Sequence, residues 1–145
     1  MRPSVASVIS PRPWEKRLAD AAAESGLVRL VARCYNPGDL PAGVEVIVAG
    51  TETPWLNARL IASWRRRGVA VIGVFPAPDR AAVALLCRAE VDQLFVETVD
   101  PALILRTARD LANIPGRATA SGSAGDRVVR RRVRPRRELG REAYG

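Results

Sequence analysis

The stretch VEVIVAGTETPWL, residues 44 to 56, decides the fold of this chain. Four of its first five residues are β-branched, and Ala49 and Gly50 follow, a composition typical of a strand buried on both faces. The strand ends on Gly50, Thr51 and Glu52, and Pro54 begins the next element. In open α/β sheets, functional groups gather at the carboxyl ends of parallel strands. The question is therefore whether the polar end of this strand performs chemistry.

Length and composition indicate one packed domain with some additional chain. The sequence has 145 residues, of which 48% are apolar and only 5% aromatic, so Ala, Val, Leu and Ile must form the core. It has no histidine and two cysteines, Cys34 and Cys87, without a metal-binding or disulfide spacing. We expect both thiols to be buried and free. No apolar run reaches the roughly 18 to 20 residues of a membrane span, and we expect a cytoplasmic protein.

The positive charge of the chain is concentrated at its end. Residues 1–116 contain 14 basic and 12 acidic residues, a net charge of +2, whereas residues 117–145 contain 9 and 3, a net charge of +6. Residues 116–145 are rich in Gly and Ser and then in Arg, with no apolar face, which is typical of a disordered linker or tail. The sequence therefore predicts an α/β domain over residues 1–115 and a tail over residues 116–145.

Alternating apolar patterns predict five strands and four helices within the domain. The strands are expected at residues 4–9, 27–34, 44–49, 69–75 and 93–96, and the helices at 14–25, 55–67, 79–89 and 101–114. Strands that alternate with helices predict a flavodoxin-like parallel sheet with strand order 2-1-3-4-5. Only residues 37–43 connect strands two and three, so we expect a shortened crossover there with at most one or two helical turns.

The strand ends contain few groups that could carry out catalysis. The sequence contains no GxGxxG or GxxxxGK[ST] loop to hold phosphates. Ser10-Pro11-Arg12 follows the first strand and offers no carboxylate for a magnesium site. The absence of histidine removes the commonest general base and zinc ligand. We therefore expect neither a cofactor, nor a metal, nor an enzymatic activity, and no small-molecule substrate.

Residues 4–114 resemble a CheY-like response-regulator receiver domain. Receivers carry an acidic pair after the first strand and a phosphate-accepting Asp at the end of the third, often with a proline four residues later, where Pro54 stands relative to Gly50. The resemblance places Gly50 at the acceptor position and Pro11 and Arg12 at the acidic pair. The segment AEVDQLFVE places Glu97 where the family has a phosphate-binding Lys. The resemblance thus implies a degenerate receiver whose former pocket consists of Pro11, Arg12, Gly50, Thr51, Glu52 and Glu97.

A narrower resemblance follows from the whole layout. A degenerate receiver followed by a Gly/Ser-rich and Arg-rich linker is similar to the amino-terminal domain of TadZ/CpaE-type ATPases of the MinD/ParA superfamily. That resemblance implies a non-catalytic domain that regulates or positions such an ATPase in pilus assembly or septum-site placement, with recruitment to a pole, septum or membrane-associated complex. Its partners would be the ATPase domain or a second copy of the chain.

Several residues at the strand ends have an ordinary structural alternative. Glu52 either mimics a phosphorylated acceptor or is a solvated acid near a helix start. Thr51 and Thr53 either bind a ligand or cap the next helix. Trp14 and Trp55 either stack on a ligand or pack their helices on the sheet. In each case the structural interpretation is favoured. For the arginines at 65–67, complementing a helix C-terminus is favoured over binding an anionic partner.

The last helix has more apolar residues than one face requires. Leu105 and Ala112 lie seven residues apart on one stripe, whereas Leu103, Ile104, Ala108 and Leu111 can cover the sheet. The sequence therefore predicts a partner interface that includes Leu105, Arg109 and Ala112, with a broad core face as the alternative.

The basic tail supports a second hypothesis of a different class. Its arginines could neutralise phosphates of nucleic acid or of an anionic membrane, which would make the protein a small adaptor. A solubilising linker is the alternative. The residues that would carry this binding are Arg130, Arg131, Arg132, Arg134, Arg136 and Arg137.

Overall fold

The structure is a computed structural model that describes residues 2–77 and 79–114. Its strands are β1 (Ser4–Val8), β2 (Arg29–Cys34), β3 (Val46–Gly50), β4 (Ala70–Phe75) and β5 (Gln93–Val96). Its α-helices are α1 (Pro13–Ser25), α2 (Ala58–Arg66), α3 (Arg80–Arg88) and α4 (Pro101–Ala112). The basic tail, including the arginines from 130 to 137, lies outside the described residues.

The five strands form one parallel sheet in the order β2-β1-β3-β4-β5. This confirms the predicted flavodoxin-like fold and its strand order. The short crossover between β2 and β3 is also confirmed, because it contains only a 3₁₀ turn at Pro37–Asp39. A capping box holds that turn. The side chain of Asn36 accepts a hydrogen bond from the backbone N–H of Gly38, and the carboxylate of Asp39 accepts one from the backbone N–H of Asn36.

Helices cover the two faces of the sheet and create two separate cores. One core joins α1 and α4 to the sheet and includes Trp14, Leu18, Ile72 and Ile104. The other includes Ile47, Ile61 and Trp64 and lies under α2. Leu40, at the end of the short crossover, packs in this second core together with Trp55 and Trp64.

Helix α3 lies so close to β4 that a glycine is needed at the contact. A Cβ atom built on Gly73 would come within 2.6 and 2.7 Å of the two δ-methyl carbons of Leu86. Leu86 is fully buried, so it has no free space into which to move. Gly73 therefore sets the distance between α3 and the sheet.

Some predictions for single helices and cysteines were wrong in detail. Helix α2 begins at Ala58 rather than at Trp55, because the side chain of Asn57 accepts a hydrogen bond from the Leu60 N–H and caps the helix. Thr51 and Thr53 therefore do not cap it. Cys34 is buried as expected, but Cys87 is exposed on α3.

The prediction that Leu105 belongs to an exposed interface was wrong. Leu105 is only 1% exposed and belongs to the core between α1, α4 and the sheet. The physical reason is that α4 packs against α1 as well as against β3 and β4, so two of its apolar stripes are covered. Leu103, which was assigned to the sheet, is instead 38% exposed.

None of the helices in the described part of the chain is long and apolar enough to span a membrane.

Candidate functional site at the carboxyl edge of the sheet

Gly50 is the last residue of β3, and the side chain of Glu52 folds back over it. A Cβ atom placed on Gly50 would lie 2.5 Å from Glu52 Oε1 and 2.6 Å from its Cδ. A turn produces this arrangement, since the N–H of Thr53 donates to the carbonyl of Gly50 at 3.1 Å. The carboxylate of Glu52 therefore fills the space that a side chain at Gly50 would occupy.

Two donors from the β1–α1 segment hold this carboxylate. Glu52 Oε2 accepts hydrogen bonds from Ser10 Oγ and, at 2.9 Å, from Trp14 Nε1. Ser10 Oγ in turn accepts from the backbone N–H of Arg12, the N-cap of α1, at 3.0 Å. Trp14 is almost fully buried, so Glu52 satisfies an indole N–H that water reaches poorly. Glu52 thus fixes the start of α1 to the end of β3.

An ion pair links the segments that follow β1 and β5 at the same edge of the sheet. The guanidinium of Arg12, after β1, donates to both carboxylate oxygens of Glu97, after β5, at 2.5 Å each. Strands β3 and β4 lie between these two strand ends. Arg17 Nη2 also donates to the backbone carbonyl of Glu97 at 3.1 Å. The hydrogen bond from Arg12 lowers the pKa of Glu97 below its ordinary value, and it also raises the pKa of Arg12.

A third carboxylate, Glu15, is buried beside this edge and was missed in the sequence. It is 0% exposed, on the first turn of α1. Ser7 Oγ donates to its Oε2 at 2.6 Å, and Arg33 donates through Nε at 2.8 Å and Nη2 at 2.5 Å. Ser7 and Arg33 are register partners on β1 and β2. These hydrogen bonds compensate for the removal of the Glu15 charge from water.

Of the predicted pocket residues, the structure brings Arg12 and Glu97 into one ion pair and places Glu52 over Gly50. Thr51 takes part through its backbone, whose N–H donates to the carbonyl of Val74 at 3.0 Å. Pro11 is exposed and makes no polar contact in the described residues. The interpretation of Glu52 as a solvated acid was wrong, since its carboxylate bonds Ser10 and Trp14.

The pocket has two members that were absent from the predicted set. Ser10 was noted only as a strand end, and for Trp14 packing of its helix on the sheet was favoured over stacking on a ligand. Their positions directly after β1 and at the start of α1 were the available signals. Within residues 2–77 and 79–114, no three His, Cys, Asp or Glu side chains are grouped so as to hold a metal ion.

Comparison with solved structures identifies the fold of this chain with that of response-regulator receiver domains. The beryllofluoride-activated DrrB receiver domain superposes with a TM-score of 0.60 at 15% identity, over 77% of this chain and 97% of that one. The signal receiver domain of NarL from Mycobacterium tuberculosis gives 0.59 at 13%, over 77% and 96%. The response regulator ChrA of a heme-sensing two-component system gives 0.64 at 12%, over 88% and 68%. No family model and no curated protein matches the sequence.

Proposed function

We propose that this chain is a receiver-like interaction domain that works without phosphoryl transfer. The receiver fold indicates a signalling or interaction domain. The observation that supports a function without phosphorylation is the position of Glu52, whose carboxylate fills the space over Gly50 at the end of β3. A glycine offers no nucleophilic oxygen to accept a phosphoryl group, and a fixed carboxylate at this place would repel the phosphoryl donor.

The charges around Gly50 support the same proposal. A receiver resembling this chain needs acids after β1 to bind Mg²⁺ and a Lys after β5 to bind the phosphoryl group. Here Arg12 and Glu97 stand at these two positions, with both charges reversed, and they neutralise each other in an ion pair. This ion pair links the segments after β1 and β5. Among the described strand-end residues of this edge we find no acid pair placed to bind a metal ion.

Incubation with acetyl phosphate and Mg²⁺ is therefore expected to leave the protein unmodified, as measured by intact mass. The variant Gly50→Asp is also expected to remain unmodified, because its Cβ must displace Glu52 and the metal-binding acids are absent. A receiver domain with an acceptor aspartate, treated in parallel, is the positive control. A stoichiometric, acid-labile phosphate on the wild-type chain would contradict the proposal.

We place the protein-binding surface at the exposed side of α4 and the adjoining edge strand β5. Leu103 near the start of α4 and Ile114 just after its end are exposed, and the side chains of Leu94, Phe95 and Val96 on β5 are only half-buried. Ala112 and Arg109 are also half-buried and remain candidates, whereas Leu103 replaces Leu105. The partner that the TadZ/CpaE resemblance suggests is a MinD/ParA-type ATPase in pilus assembly or septum-site placement, or a second copy of the chain.

The variant Leu103→Glu is expected to abolish self-association, or binding to a co-produced ATPase, while the thermal midpoint stays nearly unchanged. Surface substitutions usually change the free energy of unfolding by less than about 0.5 kcal/mol. Sedimentation velocity over a range of concentrations measures the association. Val31→Glu, at a residue of similar exposure on the opposite edge strand, is the matched control. Equal association of the wild type and both variants would show that α4 is not part of the interface.

A further inference from the structure

The two helical layers differ in charge, although the domain as a whole is nearly neutral. Helices α1 and α4 together contain four basic and four acidic residues. Helices α2 and α3 contain five arginines and no acidic residue. A sixth arginine, Arg67, follows directly as the C-cap of α2. The positive charge of the domain is therefore concentrated on one side of the sheet.

The exposed side chains of α2 and α3, which we term the α2–α3 face, are almost all arginine or small and apolar. They are Ala58, Arg59, Arg65, Arg66, Arg80, Ala81, Cys87 and Arg88. The half-buried positions of the two helices add Leu60, Ala62, Ser63, Val83, Ala84 and Leu85. The only aromatic residue of either helix, Trp64, is buried. The face thus combines guanidinium groups with apolar surface.

Most of these arginines are not neutralised by neighbouring acids. Arg65 lies 3.8 Å from a carboxylate oxygen of Glu90 and 3.7 Å from one of Asp92. The other four arginines of the α2–α3 face make no ion pair within the described part of the chain, and the same holds for Arg67. Their charges are therefore available to an external anion.

The direction of the helices groups several of these arginines at one edge. In a parallel sheet each connecting helix runs back toward the amino ends of the strands. The C-terminal ends of α2 and α3 carry Arg65, Arg66, Arg67 and Arg88 to that edge. Much of the positive charge of this layer is therefore concentrated toward one edge of the sheet, where it can act on one anionic surface.

We propose that the α2–α3 face binds the surface of an anionic phospholipid bilayer. Guanidinium groups form bidentate hydrogen bonds to phosphates, and apolar side chains between cationic ones favour the boundary between head groups and acyl chains. Nucleic acid is a poorer fit. Arginine can contact guanine edges as well as phosphates, but α2 and α3 expose no aromatic side chain on which bases could stack, since Trp64 is buried. The apolar side chains between the arginines would also find no apolar partner along a sugar–phosphate backbone.

Binding of the full chain to phosphatidylglycerol-containing vesicles tests this proposal. The triple variant Arg66→Ala, Arg80→Ala, Arg88→Ala is expected to bind about a hundredfold more weakly, since each basic residue near an anionic bilayer is worth about a factor of five. The triple variant Lys16→Ala, Arg17→Ala, Arg106→Ala removes the same charge from exposed positions of the opposite layer and is expected to bind nearly as the wild type does. Vesicles of phosphatidylcholine alone should bind none of the proteins, and added salt should weaken the binding.

Three outcomes would overturn the proposal. Equal loss of binding in both triple variants, each folded by circular dichroism, would show a response to net charge alone. Unchanged binding in the first variant, with loss on replacing Arg130, Arg131 and Arg132 by Ala, would assign the binding to the tail. Tighter binding of duplex DNA than of vesicles, weakened by the first variant only, would make the face a nucleic-acid surface. None of these results depends on whether the chain accepts a phosphoryl group.

Discussion

Replacing Leu105 with glutamate is expected to unfold the domain. Leu105 is 1% exposed and packs in the core formed by α1, α4 and the sheet. A carboxylate at this place would lose its hydration without gaining a partner, and the loss of apolar packing adds to that cost. We expect a loss of more than about 4 kcal/mol, a large part of the 5 to 15 kcal/mol that stabilises a typical domain. Thermal unfolding followed by circular dichroism measures it.

Two variants control for the site and the chemistry of this substitution. Leu105→Met keeps an apolar side chain of similar volume and is expected to cost less than about 1.5 kcal/mol. Leu103→Glu introduces the same charge two residues away, on the exposed side of α4, and is expected to remain folded. A cooperative melt of Leu105→Glu near the wild-type temperature would show that α4 does not pack against α1 as described.

Replacing Arg33 with methionine is expected to lower the free energy of unfolding by about 3 kcal/mol, at the low end of the cost of breaking a buried ion pair. Arg33 supplies two of the three hydrogen bonds that the buried carboxylate of Glu15 accepts. Without them, Glu15 keeps only the hydroxyl of Ser7. The side chain of Arg33 is itself 43% exposed and that of Glu15 only 1%, so the loss arises mainly from the buried carboxylate left with too few donors. Urea unfolding at neutral pH measures the loss.

The double variant Glu15→Met, Arg33→Met gives the matched comparison. Replacing both charges by apolar groups of similar size is often neutral or stabilising, so the double variant should regain most of the lost stability. Adding Ser7→Ala removes the hydroxyl left without an acceptor and should improve it further. The exposed Arg106→Met controls for the loss of one positive charge. A single Arg33 variant as stable as this control would contradict a structural role for the pair.

The centre of the sheet could be predicted because β3 and β4 are buried on both faces and are therefore continuously apolar. The runs at residues 44–49 and 69–75 correspond to β3 and β4, and the alternation of strands with helices predicted the strand order of a doubly wound sheet. Helix boundaries were less well determined. Trp55 continues the apolar pattern of the helix that follows and was therefore predicted to begin it. Its indole N–H instead donates to the carbonyl of Tyr35 at 2.9 Å, and α2 begins after its N-cap Asn57.

The polar contacts of the site could be predicted only in part, because they depend on the relative positions of distant elements. The residue types at positions 12, 50 and 97 are visible in the sequence. Their pairing across β3 and β4 is not, since residues 12 and 97 meet only once the sheet is formed. The burial of Glu15 likewise requires α1 to lie over the register pair Ser7 and Arg33.

The choice of Leu105 over Leu103 failed for a similar reason. An amphipathic pattern identifies which residues share a helix face, but not which face meets a neighbouring helix. The seven-residue spacing of Leu105 and Ala112 places them on one stripe, and both pack in the core between α1, α4 and the sheet. Only the packing of α1 against α4 distinguishes an interior stripe from an exposed one.

Each of the two cores on opposite faces of the sheet contains a buried tryptophan whose fluorescence can report on the packing of that core. Trp14, 2% exposed, belongs to the core under α1 and α4, and Trp64, 1% exposed, belongs to the core under α2. Trp55 meets Trp64 edge to face, with ring centroids 6.4 Å apart, so excitation can pass between these two rings. In variants that retain either Trp14 or Trp64, the fluorescence emission follows the unfolding of one core at a time. Coincident unfolding transitions of the two variants would show that both cores unfold cooperatively, and separate transitions would show that one core loosens first.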